Sequence, residues 1–311
     1  MNKSIKTYLK TAAKDYSSRS VNPPVVRAST ILFKTMQELR KHQKEIAKGR
    51  EVQHWDYGRQ GTQTTIQLQR MLRGLEEAYQ VFLTPTGFAA VSLAIMSICR
   101  PGDELVISDG VYRPTQKLAD DLLKEFNVKT IWYNPSNFED LEKKITKRTK
   151  LIYVENPGSN TFEMNDLGKI VSLAKSKNIF TAIDNTWATA YFFKPLKLGF
   201  DISITSATKY YSGHSDVMGG TLAVNKRAFK YVERANKIVE DAYGNTKTKA
   251  QKNKIAKLIK ADVEMFMEVE ADTGANISVA RADTIQYLYW IKLKPATFTS
   301  ADKMARQNRV W

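Results

Sequence analysis

Between residues 80 and 225 short apolar segments alternate with segments of helical period, and this alternation constrains the fold more than any other feature. Seven apolar segments have the length and composition of buried strands: 80–84, 104–108, 128–133, 150–155, 179–183, 202–206 and 220–224. Four segments between them have helical spacing: 87–99, 115–126, 138–145 and 166–176. This order predicts an α/β fold with a mostly parallel sheet flanked by helices. Ligands of such sheets bind beyond the carboxyl ends of the strands.

The regions on either side of this alternation have a different character. With 311 residues, the chain is long enough for one large domain or two. We predict a polar N-terminal arm at 1–55 and a large α/β domain at 56–240. For residues 241–311 we predict a charged helical segment followed by an atypical remnant, in which the sequence assigns no second compact domain.

Charge and cysteine content exclude several classes of protein. The formal net charge is +16, from 48 Lys+Arg and 32 Asp+Glu. No basic recognition helix or basic strand with interleaved aromatic residues is present, so the lysines are interpreted as surface solvation rather than as a nucleic-acid site. A single cysteine cannot form an intrachain disulfide, and with three histidines it cannot supply a zinc cluster. We expect a cytoplasmic protein without membrane spans or metal.

The densest group of chemically useful residues follows the strand predicted at 202–206. Hydroxyl groups and backbone N–H groups at a strand end, here those of Ser206 and Thr208, can bind a phosphate. Lys209 beside them could form a Schiff base with an aldehyde cofactor. Taken alone, Lys209 is more simply explained as a surface lysine, so this hypothesis depends on other motifs.

Three other motifs point to the same chemistry. Asp184 closes an apolar strand, where a carboxylate can pair with a protonated ring nitrogen or serve as a turn residue. Gly87 lies where a strand turns into a helix, and a helix N-terminus attracts anions. Tyr57 and Arg59 combine an aromatic ring with a cation in a polar loop, which suits phosphate recognition but is also common in solvated loops.

Together the motifs resemble a known family, the Cys/Met-metabolism enzymes that use pyridoxal 5′-phosphate (PLP) on the aspartate-aminotransferase-like fold (fold type I). The resemblance covers about residues 10–240. It rests on motifs in a fixed order: Tyr57-Gly58-Arg59, Thr86-Gly87-Phe88, Tyr112, Asp184-Asn185-Thr186-Trp187 and Ser206-Ala207-Thr208-Lys209. The segment 155–159 and Trp187 are most similar to members that act by β-elimination.

The resemblance implies a role for each matching residue. Lys209 would carry the cofactor covalently, Asp184 would pair with its ring nitrogen, and Tyr112 would stack on its ring. Tyr57 and Arg59 would reach the phosphate bound by a neighbouring subunit, which implies a homo-oligomer, a dimer of dimers, with shared sites. Lys209, Tyr112 and Tyr57 would be the catalytic residues. The remaining phosphate contacts would come from backbone N–H groups and hydroxyls, those of Gly87, Phe88, Ser206 and Thr208.

The implied activity is cleavage of a carbon–sulfur bond in an amino-acid thioether. The reaction is β-elimination of L-cystathionine to homocysteine, pyruvate and ammonia, a step of transsulfuration and methionine biosynthesis. Two alternatives stay open: a γ-acting relative, and a PLP-binding protein without activity. The second arises because the arginine that binds the substrate carboxylate in the family cannot be assigned to any late arginine of this chain, Arg281, Arg306 or Arg309.

Overall fold

A computed structural model of the chain describes residues 4–11, 23–47 and 57–241. Within them, seven strands form one sheet. The strands are β1 (Gln80–Thr84), β2 (Glu104–Ser108), β3 (Lys129–Tyr133), β4 (Thr149–Glu155), β5 (Phe180–Asp184), β6 (Ile202–Ser206) and β7 (Gly220–Val224). Each predicted strand is present, with bounds that differ by at most one residue at either end. The predicted α/β class is therefore confirmed.

Helices connect most of the strands and precede the first. They are α1 (Ile5–Thr11), α2 (Met36–Ala47), α3 (Gln63–Glu76), α4 (Gly87–Ile98), α5 (Arg113–Lys117), α6 (Leu123–Glu125), α7 (Phe138–Lys144), α8 (Leu167–Ser176), α9 (Thr189–Phe192), α10 (Pro195–Leu198) and α11 (Lys226–Asp241). The helix predicted at 115–126 begins earlier, at Arg113, and a π-helical turn at Leu118–Leu122 separates α5 from α6.

The sheet has the strand order β1-β7-β6-β5-β4-β2-β3. Strands β6, β5, β4, β2 and β3 run parallel to one another, whereas β7 is antiparallel to both β6 and β1. Only β7 therefore runs against the others. It does so because the chain turns back directly after β6, through residues 207–219, without a crossover helix.

Helices cover the two faces of the sheet because successive side chains of a buried strand point to opposite faces. In β4, Leu151 and Tyr153 pack with α4, and Ile152 and Val154 pack with α7 and α8 on the other face. All four side chains are buried. Such strands are continuous apolar runs, as expected for a sheet covered on both faces.

Helix α4 is central to one layer. It begins at a sharp turn after β1, where the Thr86 hydroxyl caps the helix by accepting a hydrogen bond from the Ala89 N–H at 3.0 Å. Its Ala94 and Ile95 side chains are fully buried, and burial of one such isoleucine contributes about 1.5 to 3 kcal/mol. The cap and the packing together fix the N-terminus of α4 at the carboxyl edge of the sheet.

The regions predicted to flank the large domain are described only in part. Helix α1 lies against α3, where the Tyr8 hydroxyl donates a hydrogen bond to the Met71 carbonyl at 2.9 Å. Residues 242–311 lie outside the described residues, as do Arg281, Arg306 and Arg309. The domain boundaries therefore stay predictions.

Candidate active site

The carboxyl ends of the parallel strands meet at one edge of the sheet. Glu155 is the last residue of β4 and pairs in register with Asp184, the last residue of β5. Ser206 ends β6 opposite Gly220, the first residue of β7, and Gly220 also pairs with Thr84 at the end of β1. The topology therefore gathers the ends of four strands and the start of a fifth at the predicted ligand edge.

Asp184 and Glu155 form a pair of carboxyl groups at this edge. Burial raises the pKa of Asp184, although the Thr186 N–H donates a hydrogen bond to its Oδ1 at 2.9 Å. Burial and the charge of Asp184 raise the pKa of Glu155 to about 8. Because the charge on one carboxyl group disfavours ionisation of the other, the two groups titrate as a pair rather than independently.

Tyr112 is hydrogen-bonded to this pair through its backbone. Its backbone N–H donates a hydrogen bond to Glu155 Oε2 at 2.7 Å. Partial burial raises the pKa of its phenol, and the charges of Glu155 and Asp184 raise it further. The side chain is 45% exposed, so an aromatic face is available beside the two carboxyl groups.

The N-terminus of α4 approaches the end of β6 closely. A Cβ atom at Gly87 would lie 2.5 Å from both Cβ and Oγ of Ser206, closer than two such atoms can approach. The first N–H groups of a helix, here those of Gly87 and Phe88, have no intrahelical partner. With the Ser206 hydroxyl they form a small cradle that suits an anion.

Thr208 and Lys209 lie in the turn between β6 and β7. The Thr208 hydroxyl exchanges two hydrogen bonds with the Gly219 backbone, accepting from its N–H at 3.1 Å and donating to its carbonyl at 3.3 Å. The Lys209 N–H donates to the Ser206 carbonyl at 3.1 Å. Its side chain is exposed, and its ε-amine has no hydrogen bond or ion pair to the described residues.

The structure thus brings Gly87, Phe88, Asp184 and the 206–209 segment to one edge and attaches Tyr112 to it. Tyr57, by contrast, forms an isolated β-bridge with Thr30 in a segment outside the sheet. The side chain of Arg59 lies outside the described part of the chain. The predicted phosphate contacts of Tyr57 and Arg59 therefore stay predictions.

Several residues of the edge were not predicted as site residues. Glu155 closes β4 as Asp184 closes β5, and this similarity is a signal that could have identified it. Gly220 is required because a Cβ there would lie 2.2 Å from the Thr86 carbonyl oxygen. Trp187 and Phe162 form an exposed edge-to-face pair with centroids 5.5 Å apart.

The arrangement fits PLP in its chemistry. Within the described residues, neither Asp184 nor Glu155 has a lysine or arginine partner, and a buried carboxylate is costly unless a cation compensates it. A protonated pyridine ring supplies such a cation. No side chain fills the cradle at Gly87, as a phosphate site requires, and the Lys209 ε-amine has no partner among the described residues, as attachment of an aldehyde requires.

Comparison with known proteins agrees with this fit. The solved structures similar to this chain are fold type I PLP enzymes, and the fold is therefore of that class. The chain belongs to the Cys/Met metabolism PLP-dependent enzyme family, whose model matches residues 6–281.

Individual relatives are named for different reactions. A cystathionine beta-lyase of Haemophilus influenzae is 38% identical over 218 residues, which cover 70% of this chain and 54% of the relative. An L-alanine/L-glutamate racemase of Wolbachia pipientis is 33% identical, covering 72% of this chain and 56% of the relative. The crystal structure of cystathionine gamma-lyase from Lactobacillus plantarum has a TM-score of 0.68 at 27% identity, covering 76% of this chain and 59% of that one.

The chain therefore spans a little over half the length of the curated relatives it matches. None of the described helices is long and apolar enough to cross a membrane. Within the same residues, no group of three or more His, Cys, Asp or Glu side chains is arranged to hold a metal ion.

Proposed function

We propose that the chain binds PLP at the carboxyl edge of the sheet and cleaves the Cβ–S bond of L-cystathionine. The observation that carries the proposal is the partly buried Asp184–Glu155 pair, which lacks a cation among the described residues and lies at the same edge of the sheet as an unengaged amine and an anion cradle. Family membership supports the cofactor, and the identity to a beta-lyase supports the reaction.

Each residue at the edge has a distinct task in this proposal. Asp184 keeps a proton on the ring nitrogen, and Glu155 holds the Tyr112 backbone so that its phenol ring packs against the cofactor. The N–H groups of Gly87 and Phe88 bind the phosphate, helped by two hydroxyls, those of Ser206 and Thr208. When bound, PLP supplies an electron sink for the carbon that loses its proton.

Lys209 acts twice. Its ε-amine would hold the cofactor through its aldehyde and, when free, would be placed to take the proton from the substrate Cα. The electron pair of the Cβ–S bond leaves with sulfur, which takes up a proton as homocysteine. Water hydrolyses the remaining three-carbon fragment to pyruvate and ammonia, so that one water is consumed for each cystathionine.

Two other outcomes of Cα proton removal have support among the relatives. The likeness to a gamma-lyase structure supports cleavage at Cγ, which yields 2-oxobutyrate. The identity to a racemase supports return of the proton to the opposite face, which inverts Cα. The three reactions share Lys209 and Asp184 and differ in what leaves after the proton.

The site is proposed to be completed by a second copy of the chain. Tyr57 and Arg59 of one subunit would reach the phosphate bound by its neighbour, in a dimer of dimers. The exposed side chains of Tyr112 and Trp187 at the edge are compatible with a partner that covers them. Sedimentation of the purified chain with and without PLP tests the assembly, and a monomer in both conditions would contradict it.

The test of the function begins with the purified chain and PLP. We expect a visible absorbance band, and borohydride reduction followed by peptide mapping should find the cofactor on Lys209. Lys209→Ala should lose the band and the label, whereas Lys177→Ala, at an exposed lysine outside the edge, should keep both. A colourless and unlabelled wild-type chain would overturn the proposal.

Product analysis then separates the reactions. Pyruvate from L-cystathionine supports β-elimination, 2-oxobutyrate supports γ chemistry, and D-alanine formed from L-alanine supports racemisation. A labelled chain that forms none of these products would leave only the PLP-binding protein without activity.

A further inference from the structure

A second buried carboxyl group lies beneath the turn that carries Lys209. Glu76 is the last residue of α3 and is 1% exposed. The Tyr211 hydroxyl donates a hydrogen bond to its Oε1 at 3.1 Å, and the Ser203 hydroxyl donates one to its Oε2 at 3.3 Å. One carboxyl group thus joins α3, β6 and the turn after β6, which are far apart in the sequence.

Tyr211 is two residues from Lys209 in that turn. The backbone of the turn is closed by hydrogen bonds from the Ser212 N–H to the Ala207 carbonyl at 3.0 Å and from the Gly213 N–H to the Lys209 carbonyl at 2.9 Å. The Tyr211 phenol also interacts with the Thr205 side chain and the Ala190 backbone. In the described structure, the hydrogen bonds of the other side chains of residues 207–219 stay within that segment. The Tyr211 phenol is the side chain that ties the turn to α3.

The charges around Glu76 are few. Burial raises the pKa of Glu76 to about 7, against the lowering by hydrogen bonds from Tyr211 and Ser203 and by the charge of Lys194. Lys194, in the segment before α10, also pairs with the neighbouring carboxylate of Glu77. Burial and the charge of Glu76 raise the pKa of Tyr211, which therefore stays a donor. Near neutral pH, the protonation state of Glu76 changes, and with it the strength of the hydrogen bond that Glu76 accepts from Tyr211.

We propose that Glu76 is a positioning residue for Lys209, which it serves by holding Tyr211 and thereby the turn that presents the ε-amine. The proposal rests on the proposed function in assigning a task to Lys209. A hydrogen bond to an ionised carboxylate is stronger than one to a neutral acceptor, so the turn is held best above neutral pH.

The positioning role differs from simple stabilisation of the fold. A structural role would change the free energy of unfolding without changing the turn in the native state. A positioning role changes the local opening of the turn and the reactivity of Lys209 in molecules that remain folded. Local opening is measured by amide hydrogen exchange, and this measurement needs no cofactor.

The first experiment compares Tyr211→Phe with Tyr210→Phe, the exposed neighbour. Loss of a hydrogen bond to a charged group should speed exchange at the Ser212 and Gly213 amides about tenfold in Tyr211→Phe. Tyr210→Phe should exchange as the wild type does. Equal exchange in the two variants and the wild type would overturn the proposal, whatever their melting temperatures.

The second experiment uses pH and a second pair of variants. The ratio of exchange rates between Tyr211→Phe and the wild type, taken at each pH, should shrink as pH falls through about 7. Glu76→Gln, which keeps the shape but not the charge, should make the exchange of the turn independent of this titration. Glu77→Gln, at the exposed neighbour, should leave the pH dependence of exchange in the turn unchanged. A ratio that stays constant with pH would contradict the role of the Glu76 charge.

The third experiment joins the turn to the cofactor. In the PLP-loaded chain, Tyr211→Phe should shift the pH midpoint of the visible band and slow PLP uptake by about tenfold, and Tyr210→Phe should change neither. If the wild type takes up no PLP, the proposed function fails, and the exchange measurements still decide the positioning role. If PLP is bound and the Tyr211→Phe band and uptake equal those of the wild type, the positioning role fails alone.

Discussion

Buried carboxylates at the two edges of the sheet have different partners. At the amino edge, Glu104 is 1% exposed and lies 2.6 Å from Arg148 Nη2. Although burial alone would raise its pKa, hydrogen bonds from Thr146 and Arg148 and the charges of Arg148 and Lys129 lower it on balance. Asp201 at the same edge lies 3.0 Å from Arg227 Nη1. At this edge each of the two carboxylates therefore has an arginine partner.

At the carboxyl edge, the described residues include no cationic partner for Asp184 or Glu155. Asp184 and Glu155 accept hydrogen bonds from the backbone N–H groups of Thr186 and Tyr112, and the pKa of Glu155 rises to about 8 where that of Glu104 falls. The same residue type therefore responds in opposite directions at the two edges. The comparison shows that burial without a cation partner raises the pKa of Glu155 at the carboxyl edge, whereas cation partners lower the pKa of Glu104 at the amino edge.

The largest expected effect comes from removing the unpaired charge. Asp184→Asn should lower turnover by at least about 10³-fold, equivalent to about 4 kcal/mol of transition-state stabilisation. PLP should still attach to Lys209, because attachment does not need the carboxylate. The measurement is initial rate together with borohydride labelling. Asp121→Asn, at an exposed position, is the control, and full turnover in Asp184→Asn would sink the assignment.

The next effect concerns pH and stability. Glu155 has its folded-state pKa raised to about 8, so its stabilising protonated form is fully present below its unfolded pKa and is lost as pH rises through about 8. Glu155→Gln should remove this loss of stability with rising pH. The variant should match the wild type near pH 5 and exceed it at pH 9 by up to about 4 kcal/mol.

Urea unfolding of both proteins across this pH range measures the difference. Glu76 titrates in both proteins, so subtracting one stability profile from the other cancels Glu76 and leaves the contribution of the Asp184–Glu155 pair. PLP, which brings a cation to the pair, should narrow the difference. If the free energy of unfolding changed with pH equally in the wild type and in Glu155→Gln, the two carboxyl groups would not interact as the register implies.

Mutation at the amino edge, where the carboxylates have arginine partners, should change stability rather than turnover. Asp201→Asn leaves Arg227 without its partner and weakens the bonds that Asp201 accepts from the Thr181 N–H and Asn225 Nδ2, at 3.0 and 2.8 Å. Stability should fall by about 2 to 3 kcal/mol, at or just below the range of about 3 to 5 kcal/mol for a broken buried pair, because Arg227 is partly exposed. Turnover per folded molecule should not change, and a catalytic defect without destabilisation would break the comparison.

Much of this architecture could be predicted from the sequence because local pattern determines it. Apolar runs such as those of β2 and β7 are buried along their whole length, and such runs can be read without knowledge of their neighbours. The reversed direction of β7 could not be predicted, since an apolar run of five residues carries no sign of its direction.

Contacts at the site are harder to predict because they depend on register and on distant residues. Asp184 and Lys209 were found from their motifs, but the pairing of Asp184 with Glu155 follows only from the alignment of β4 with β5. The bond between Glu76 and Tyr211 joins residues 135 positions apart. No pattern within either segment indicates that contact.

The smallest expected effect tests the cradle, where two helices that begin after strands differ in the space around a glycine. A Cβ at Gly87 in α4 would lie 2.5 Å from Ser206, whereas at Gly168 in α8 its nearest contact is 3.6 Å away. Gly87→Ala should therefore weaken PLP affinity about tenfold, a loss of about 1.4 kcal/mol, because the helix N-terminus must move away from Ser206. Gly168→Ala should leave affinity unchanged. Fluorescence titration with PLP measures both variants, and equal affinities would mean that the close approach of α4 to β6 does not form the phosphate site.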